Sequence, residues 1–170
     1  MSQSDRLRVS RCALPVAAAL ALAGFPAQAQ SLIARSNSKV PAVVYLYPEQ
    51  VTVPAGTPTR VALHFRIAPG LHINSHTPSE DELIPTTLSI PEGSDVHLDG
   101  AVYPPGEAFR LPIAPKTKLS VYTGEFIIQA RIVAAAGDHL VEAQLRYQAC
   151  DNNACMPPRT ITTPIDVIGK

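Results

Sequence analysis

The sequence predicts an all-β domain built as a β-sandwich, and three observations carry that expectation. Several stretches alternate apolar and polar residues with a period of two, as strands with one buried face do. Turn-forming residues recur about every 8–12 positions, the rhythm of sandwich domains. The 17 Pro and 9 Gly are spread along the 170 residues, which disfavours long helices, and no convincing amphipathic helix is found after residue 29.

Taken in order, Val43 to Tyr47 is a first strand and Pro54 to Pro58 a turn. Thr59 to Ala68 is the clearest strand. Val61, Leu63, Phe65 and Ile67 fall on one face, with Arg60, Ala62, His64 and Arg66 on the other. Pro69-Gly70 turns the chain into Leu71-His72-Ile73-Asn74, and a polar loop runs from Ser75 to Leu83. Thr86 to Ile90 is a strand and Pro91-Glu92-Gly93 a turn. Glu125 to Ala135 and His139 to Cys150 are expected to form a hairpin around Gly137-Asp138, a favourable turn pair. In its second arm Val141, Ala143, Leu145, Tyr147 and Ala149 share a face, which places Tyr147 in the core, and its place near the cysteines also makes it a candidate site-lining residue. Arg159 to Ile168 supplies a last strand, for a total of about eight.

The first 29 residues read differently. Arg6, Arg8 and Arg11 precede a nearly unbroken apolar run from Cys12 to Phe25, and Ala27-Gln28-Ala29 is a small-x-small site. This is the layout of a cleaved secretory signal, and the run is shorter than the roughly 20 apolar residues of a membrane span. Without an Arg-Arg pair, the expected export is of the unfolded chain to the periplasm. Residues 30–42 read as a polar leader and residues 43–170 as the domain. Cleavage removes three Arg and one Asp from 14 basic and 14 acidic residues, leaving 11 and 13, a net charge of −2. That balance gives no electrostatic case for nucleic acid or an anionic membrane surface. The remaining 141 residues suffice for one hydrophobic core, and no stable membrane insertion is expected of them.

Cleavage also removes Cys12 and leaves two cysteines, Cys150 and Cys155. In an oxidising compartment two close cysteines in a small domain pair. Asp151-Asn152-Asn153 between them favours a tight turn, so one cysteine can end a strand and the other begin the next. Pro157-Pro158 then sets an extended exit. An inert staple and a redox pair are both compatible with this spacing. A loop of about six residues gives roughly 2 kcal/mol of stabilisation in the chain-entropy model, against about 4.5 for a loop near 100. The small loop therefore suits a reducible bond better than a purely mechanical one.

Three segments resemble the N-terminal periplasmic domain of the thiol:disulfide interchange protein DsbD. The first is Gly70-Leu71-His72-Ile73-Asn74-Ser75 with Leu83-Ile84-Pro85-Thr86. The second is Val102 to Glu107 followed by Leu119 to Gly124. The third is Leu145 to Pro158, whose Tyr-Gln-Ala-Cys before a second Cys and Pro-Pro is the most specific. The resemblance covers about residues 43–168. It implies an immunoglobulin-like β-sandwich with a redox-active pair on its last hairpin, passing reducing equivalents to periplasmic thiol–disulfide partners. Those partners would be a thioredoxin-like donor and a disulfide isomerase or cytochrome c maturation acceptor. It further implies that Cys155 bonds to partners and Cys150 resolves, that His72 and Asn74 line the site, and that Tyr103 to Phe109 forms a cap with both aromatics as lids. Two features depart from the family pattern. The chain stops at Lys170 without a membrane conduit or thioredoxin-like domain, so a separate electron donor is expected. The cysteine spacing is also one residue shorter than in the best-known enterobacterial members.

Two other functions fit the same residues. Reduced Cys150 and Cys155 with Met156 offer soft sulfur ligands suited to Cu(I), and an interaction domain with an inert disulfide needs no chemistry at all. The redox reading itself calls for no cofactor and no metal. His76, His64, His97 and His139 read as surface residues, and Glu80-Asp81-Glu82 as a solvated loop.

Overall fold

Strand β3 (Thr59–Ile67) shows how the sequence pattern becomes a wall of the core. Val61, Leu63, Phe65 and Ile67 are buried while Arg60, Ala62 and Arg66 are exposed. The computed structural model describes residues 41–46, 50–111 and 114–170, all within one compact unit; the expected signal at 1–29 and most of the leader at 30–42 lie outside the described residues. Ala42 is an exception, being buried, with its carbonyl accepting from Ala68 N–H at 2.9 Å.

Among the described residues there is no helix, and none long and apolar enough to cross a membrane. The described residues form twelve strands in three four-stranded sheets. In the first, β1 (Val43–Tyr45) pairs with β3, β3 with β9 (Glu125–Ala134), and β9 with β6 (Val96–Val102). In the second, β2 (Gln50–Val53) pairs with β12 (Arg159–Gly169), β12 with β10 (Gly137–Tyr147), and β10 with β5 (Thr87–Ser89). In the third, β11 (Ala149–Cys150) pairs with β4 (His72–Asn74), β4 with β8 (Ala114–Tyr122), and β8 with β7 (Glu107–Leu111). All pairings are antiparallel except β2 with β12. The chain is an all-β, immunoglobulin-like β-sandwich, as the sequence predicts.

The core gathers the inner faces of the first two sheets, joined by Ile73, Tyr122 and Ala149 of the third. Phe126, Ile128, Ala130 and Ile132 of β9 enter it from one side, and Val141, Ala143, Leu145 and Tyr147 of β10 from the other. Phe65 stacks on Phe126 at 5.2 Å between ring centroids, and Phe126 on Tyr122 at 5.0 Å. Such pairs add modestly to the burial of the rings.

One expectation is corrected. Residues 125–135 and 139–150 do not form a hairpin, because β9 and β10 belong to different sheets. Both strands carry a buried face, and those faces oppose each other across the core instead of lying side by side. Gly137, at φ 117°, supports the corner where the chain changes sheets. The true partner of β10 is β12, in continuous register from Gly137↔Gly169 to Tyr147↔Arg159. The cysteine segment is therefore the connection of a long β10–β12 hairpin. Four strands also escape the sequence reading: β2, β6, β7 and β8. In β6 the register shifts between Leu98 and Gly100, which breaks the period of two.

Candidate functional site

The turn between the cysteines is built by Asp151. Its Oδ1 accepts the backbone N–H of Asn153 at 2.7 Å and of Ala154 at 2.8 Å. These bonds hold the carboxyl below its usual range, the Asn153 N–H contributing most. The backbone closes with Asp151 N–H donating to Ala154 O at 3.0 Å and Met156 N–H to Ala149 O at 2.8 Å. These two bonds flank Cys150 and Cys155 on either side, which makes the cysteines a non-hydrogen-bonded antiparallel pair, the position where cross-strand side chains come closest. The Cα atoms are 3.9 Å apart and the sulfurs form a disulfide. The expected turn-spanning pair is thus present.

The two sulfur-bearing residues differ sharply in exposure. Cys150 is 2 % exposed, whereas Cys155 is an exposed residue. The reason lies in the chain path. After Tyr147 the chain leaves the second sheet, and β11 joins the edge of the third, setting Ala149 opposite Ile73 and Cys150 opposite His72. Cys155 stays on the outer side of the turn.

His72 is buried beside Cys150, and opposed residues on paired strands point to the same face. Its Nε2 has no hydrogen-bond partner. Burial lowers its pKa, and the nearby Asp151 carboxylate opposes this in part. Phe109 of β7 lies over the imidazole, with ring centroids 4.4 Å apart. His72, Phe109, Leu71, Thr123 and Asn152 are among the residues around a cavity of about 570 Å³ beside the turn.

Asn74 lies on the same strand as His72, also buried. Its Nδ2 donates to Ile84 O at 3.1 Å and to Gln148 Oε1 at 3.2 Å. Gln148 Nε2 in turn donates to Met156 O at 3.2 Å, so β4 is tied to the residue after Cys155. Gln148 was not singled out by sequence; its place next to Ala149-Cys150 in the most specific segment is the signal that points to it.

Tyr103 and Phe109 occupy separate places. The Tyr103 ring stacks on His76 at 3.7 Å, and its hydroxyl accepts the Leu88 N–H at 2.8 Å. Burial raises its pKa, with the Leu88 bond acting in the opposite sense. Tyr122, also missed by sequence, secures the same stretch: its hydroxyl donates to Pro104 O at 2.9 Å and accepts from His76 N–H at 3.1 Å. Tyr103 thus anchors the start of the 103–109 stretch, and Phe109 at its other end lies against His72. Tyr147 is 1 % exposed and belongs to the core at the turn end of the β10–β12 hairpin. Its pKa is raised by burial.

His76 is exposed, with Nδ1 at 3.0 Å from Thr86 O, and Glu80, Asp81 and Glu82 are all exposed. Among the described residues no group of three or more His, Cys, Asp or Glu is placed to hold a metal ion.

Comparison with known proteins gives a family match over residues 42–166, to the N-terminal region of the thiol:disulfide interchange protein DsbD. No curated protein matches the chain. Among solved structures, the DsbD N-terminal domain of Neisseria meningitidis in its reduced form is 22% identical. That match covers 68% of this chain and 81% of the other, with a TM-score of 0.44. A complex of the DsbD and PilB N-terminal domains from the same organism matches at 21% identity, covering 66% and 77%, with a TM-score of 0.40. A match running from Ala42 through both cysteines to Asp166 spans most of the chain, which therefore belongs to the family of DsbD N-terminal domains.

Proposed function

We propose that the domain works in the periplasm as a thiol–disulfide exchange protein, with Cys155 as the sulfur that meets partners and Cys150 as the resolving sulfur. The observation that carries this reading is the unequal exposure of the two cysteines within one six-residue ring: Cys155 is presented to solvent and Cys150 is buried. In the reduced domain, the Cys155 thiolate attacks a partner's disulfide and forms a mixed disulfide, and one partner thiolate leaves. The Cys150 thiolate then attacks Cys155 Sγ, restoring the Cys150–Cys155 bond and releasing the second partner thiolate. Two electrons pass to the partner. A thioredoxin-like donor would run the same steps in reverse to recharge the pair. A disulfide isomerase or a cytochrome c maturation protein would accept the electrons. His72 lies opposite Cys150 in the β4–β11 pairing, with Phe109 packed against its ring.

The reduction potential tests this, read by alkylation mass shift in glutathione buffers. A value within about −120 to −270 mV is expected, the range of known exchangers; a bond that resists reduction below about −300 mV would make the pair a staple and remove the proposal. Cys150→Ser should accumulate mixed disulfides with partner proteins through Cys155, and Cys155→Ser should not. Equal trapping by both would refute the assigned roles.

A further inference from the structure

The resolving step poses a problem of proton transfer. Cys150 is buried, and burial disfavours a thiolate. The turn adds to this, because the Asp151 carboxylate sits next in sequence and no basic residue lies between the cysteines. Yet a thiol does not attack a disulfide; the thiolate does. Some group must take the Cys150 proton within the fold.

The geometry points to His72 as that proton acceptor: the imidazole that faces Cys150 across the β4–β11 pairing receives the thiol proton as Cys150 resolves the mixed disulfide on Cys155. This rests on the exchange reading above and adds a residue to it. Three observations support it. His72 and Cys150 are opposed in register and both are buried, so the side chains lie on one face of a shared sheet. The His72 Nε2 is a buried polar atom without a hydrogen-bond partner, a rare and costly arrangement. Phe109 packs against the ring in a tilted contact, with centroids 4.4 Å apart, and limits its freedom to turn toward solvent.

The charges around the ring are favourable. From the turn, the Asp151 carboxylate stabilises an imidazolium once it forms. From β7 the facing group is Phe109, which is uncharged. Across the cavity stand Thr123 and the Arg66–Glu125 pair, whose charges are joined at 2.8 Å and largely cancel. Burial keeps the resting ring neutral at pH 7, so it is in the accepting form when needed.

The step balances as follows. The partner's sulfur is bonded to Cys155 Sγ, and Cys150 is a thiol. Its proton moves to His72 Nε2. The Cys150 Sγ electron pair forms the bond to Cys155 Sγ, and the partner's sulfur leaves with the bonding pair as a thiolate. The imidazolium then gives its proton to that thiolate or to water, returning His72 to the neutral form. Cys150 and Cys155 are oxidised and the partner is reduced by two electrons overall.

The test uses the reduced protein and 5,5′-dithiobis(2-nitrobenzoate) in a stopped-flow instrument. Attack by Cys155 releases one coloured thiolate, and resolution by Cys150 releases a second. In His72→Gln and in His72→Phe, which keeps a ring against Phe109, the first phase should be unchanged. The second should slow by about 100-fold at pH 7, in the range of general-base effects. It should recover as pH rises toward the thiol's own ionisation. In the wild type the second phase should lose speed on acidification as His72 takes up a proton, a limb absent from both variants. A second phase that changes by less than about threefold, with the same pH profile in all three proteins, overturns the role of His72 and leaves the exchange reading standing. If reduced wild-type protein shows no second phase at any pH, the exchange reading and this inference fall together.

Discussion

Opening the Cys150–Cys155 bond should leave the domain folded, and the cost can be worked from the chain. The bond closes a ring of six residues, from Cys150 to Cys155. In the chain-entropy model a ring of that size removes about 7 cal/mol/K from the unfolded ensemble, or about 2 kcal/mol at 25 °C. For a domain of this size that amounts to a fall of roughly 6–10 °C in melting temperature. None of residues 150–155 belongs to the core cluster, so the core survives the loss. A thermodynamic cycle fixes a second number. If the bond stabilises the fold by about 2 kcal/mol, the fold stabilises the bond equally, which lowers its potential by about 45 mV relative to the unfolded chain. Urea denaturation of oxidised and reduced protein gives the first quantity. Glutathione titration of the folded protein and of the chain in concentrated urea gives the second. A reduced protein that is unfolded at 25 °C, or a stability gap above about 4 kcal/mol, would refute the argument that this ring is too small to be a mechanical clamp.

Further outcomes are expected elsewhere. Gly106→Ala would place a methyl group against Ser120 Oγ and within 2.8 Å of Ser75 Cβ, where the two serine hydroxyls already share a bond of 2.8 Å; a loss of about 1–3 kcal/mol should follow in urea melts, and a neutral result would show that the 103–106 stretch yields freely. Phe65→Ala removes the middle ring of the Tyr45–Phe65–Phe126 cluster at a fully buried site and should cost about 3–5 kcal/mol, with a loss under about 1.5 contradicting the packing described. The lowered pKa of His72 gives stability a pH dependence of definite sign. The unfolded chain binds the proton more readily than the fold, so this contribution is fully present above the ordinary histidine value of about 6.5 and declines as pH falls below it. His72→Phe should flatten that acid slope in urea midpoints measured between pH 5 and 8, and an unchanged slope would assign it to other groups.

The parts of the fold legible in the sequence are those where one strand meets the core alone. β3, β10 and β12 each bury every second residue, so the period of two is visible without knowing any partner. Pairing is another matter. Gly137-Asp138 looks the same whether the chain folds back in one sheet or crosses to another, and only the opposed faces of β9 and β10 decide it. β7 carries too little buried surface to show a pattern. At the site, the turn chemistry of Asp151-Asn152-Asn153 was readable because it is local. The Asn74–Gln148 bond joins residues 74 positions apart, and nothing short-range marks such a pair. The neighbourhood of His72 and Phe109 likewise depends on two strands meeting through β8. Resemblance to a family brought these residues to notice where periodicity did not.

The placement of the cysteines at a non-hydrogen-bonded position ties the length of their turn to parity. Side chains alternate faces along a strand, so adding or removing one residue among 151–154 rotates Cys155 to the far side of the hairpin unless the ladder absorbs the change as a bulge. Two residues added together would restore the facing but loosen the Asp151 anchor. In this chain, therefore, the number of residues in the turn decides whether the two sulfurs face each other. A deletion that leaves every side chain of the site intact would still part the two sulfurs unless the ladder bulges to compensate.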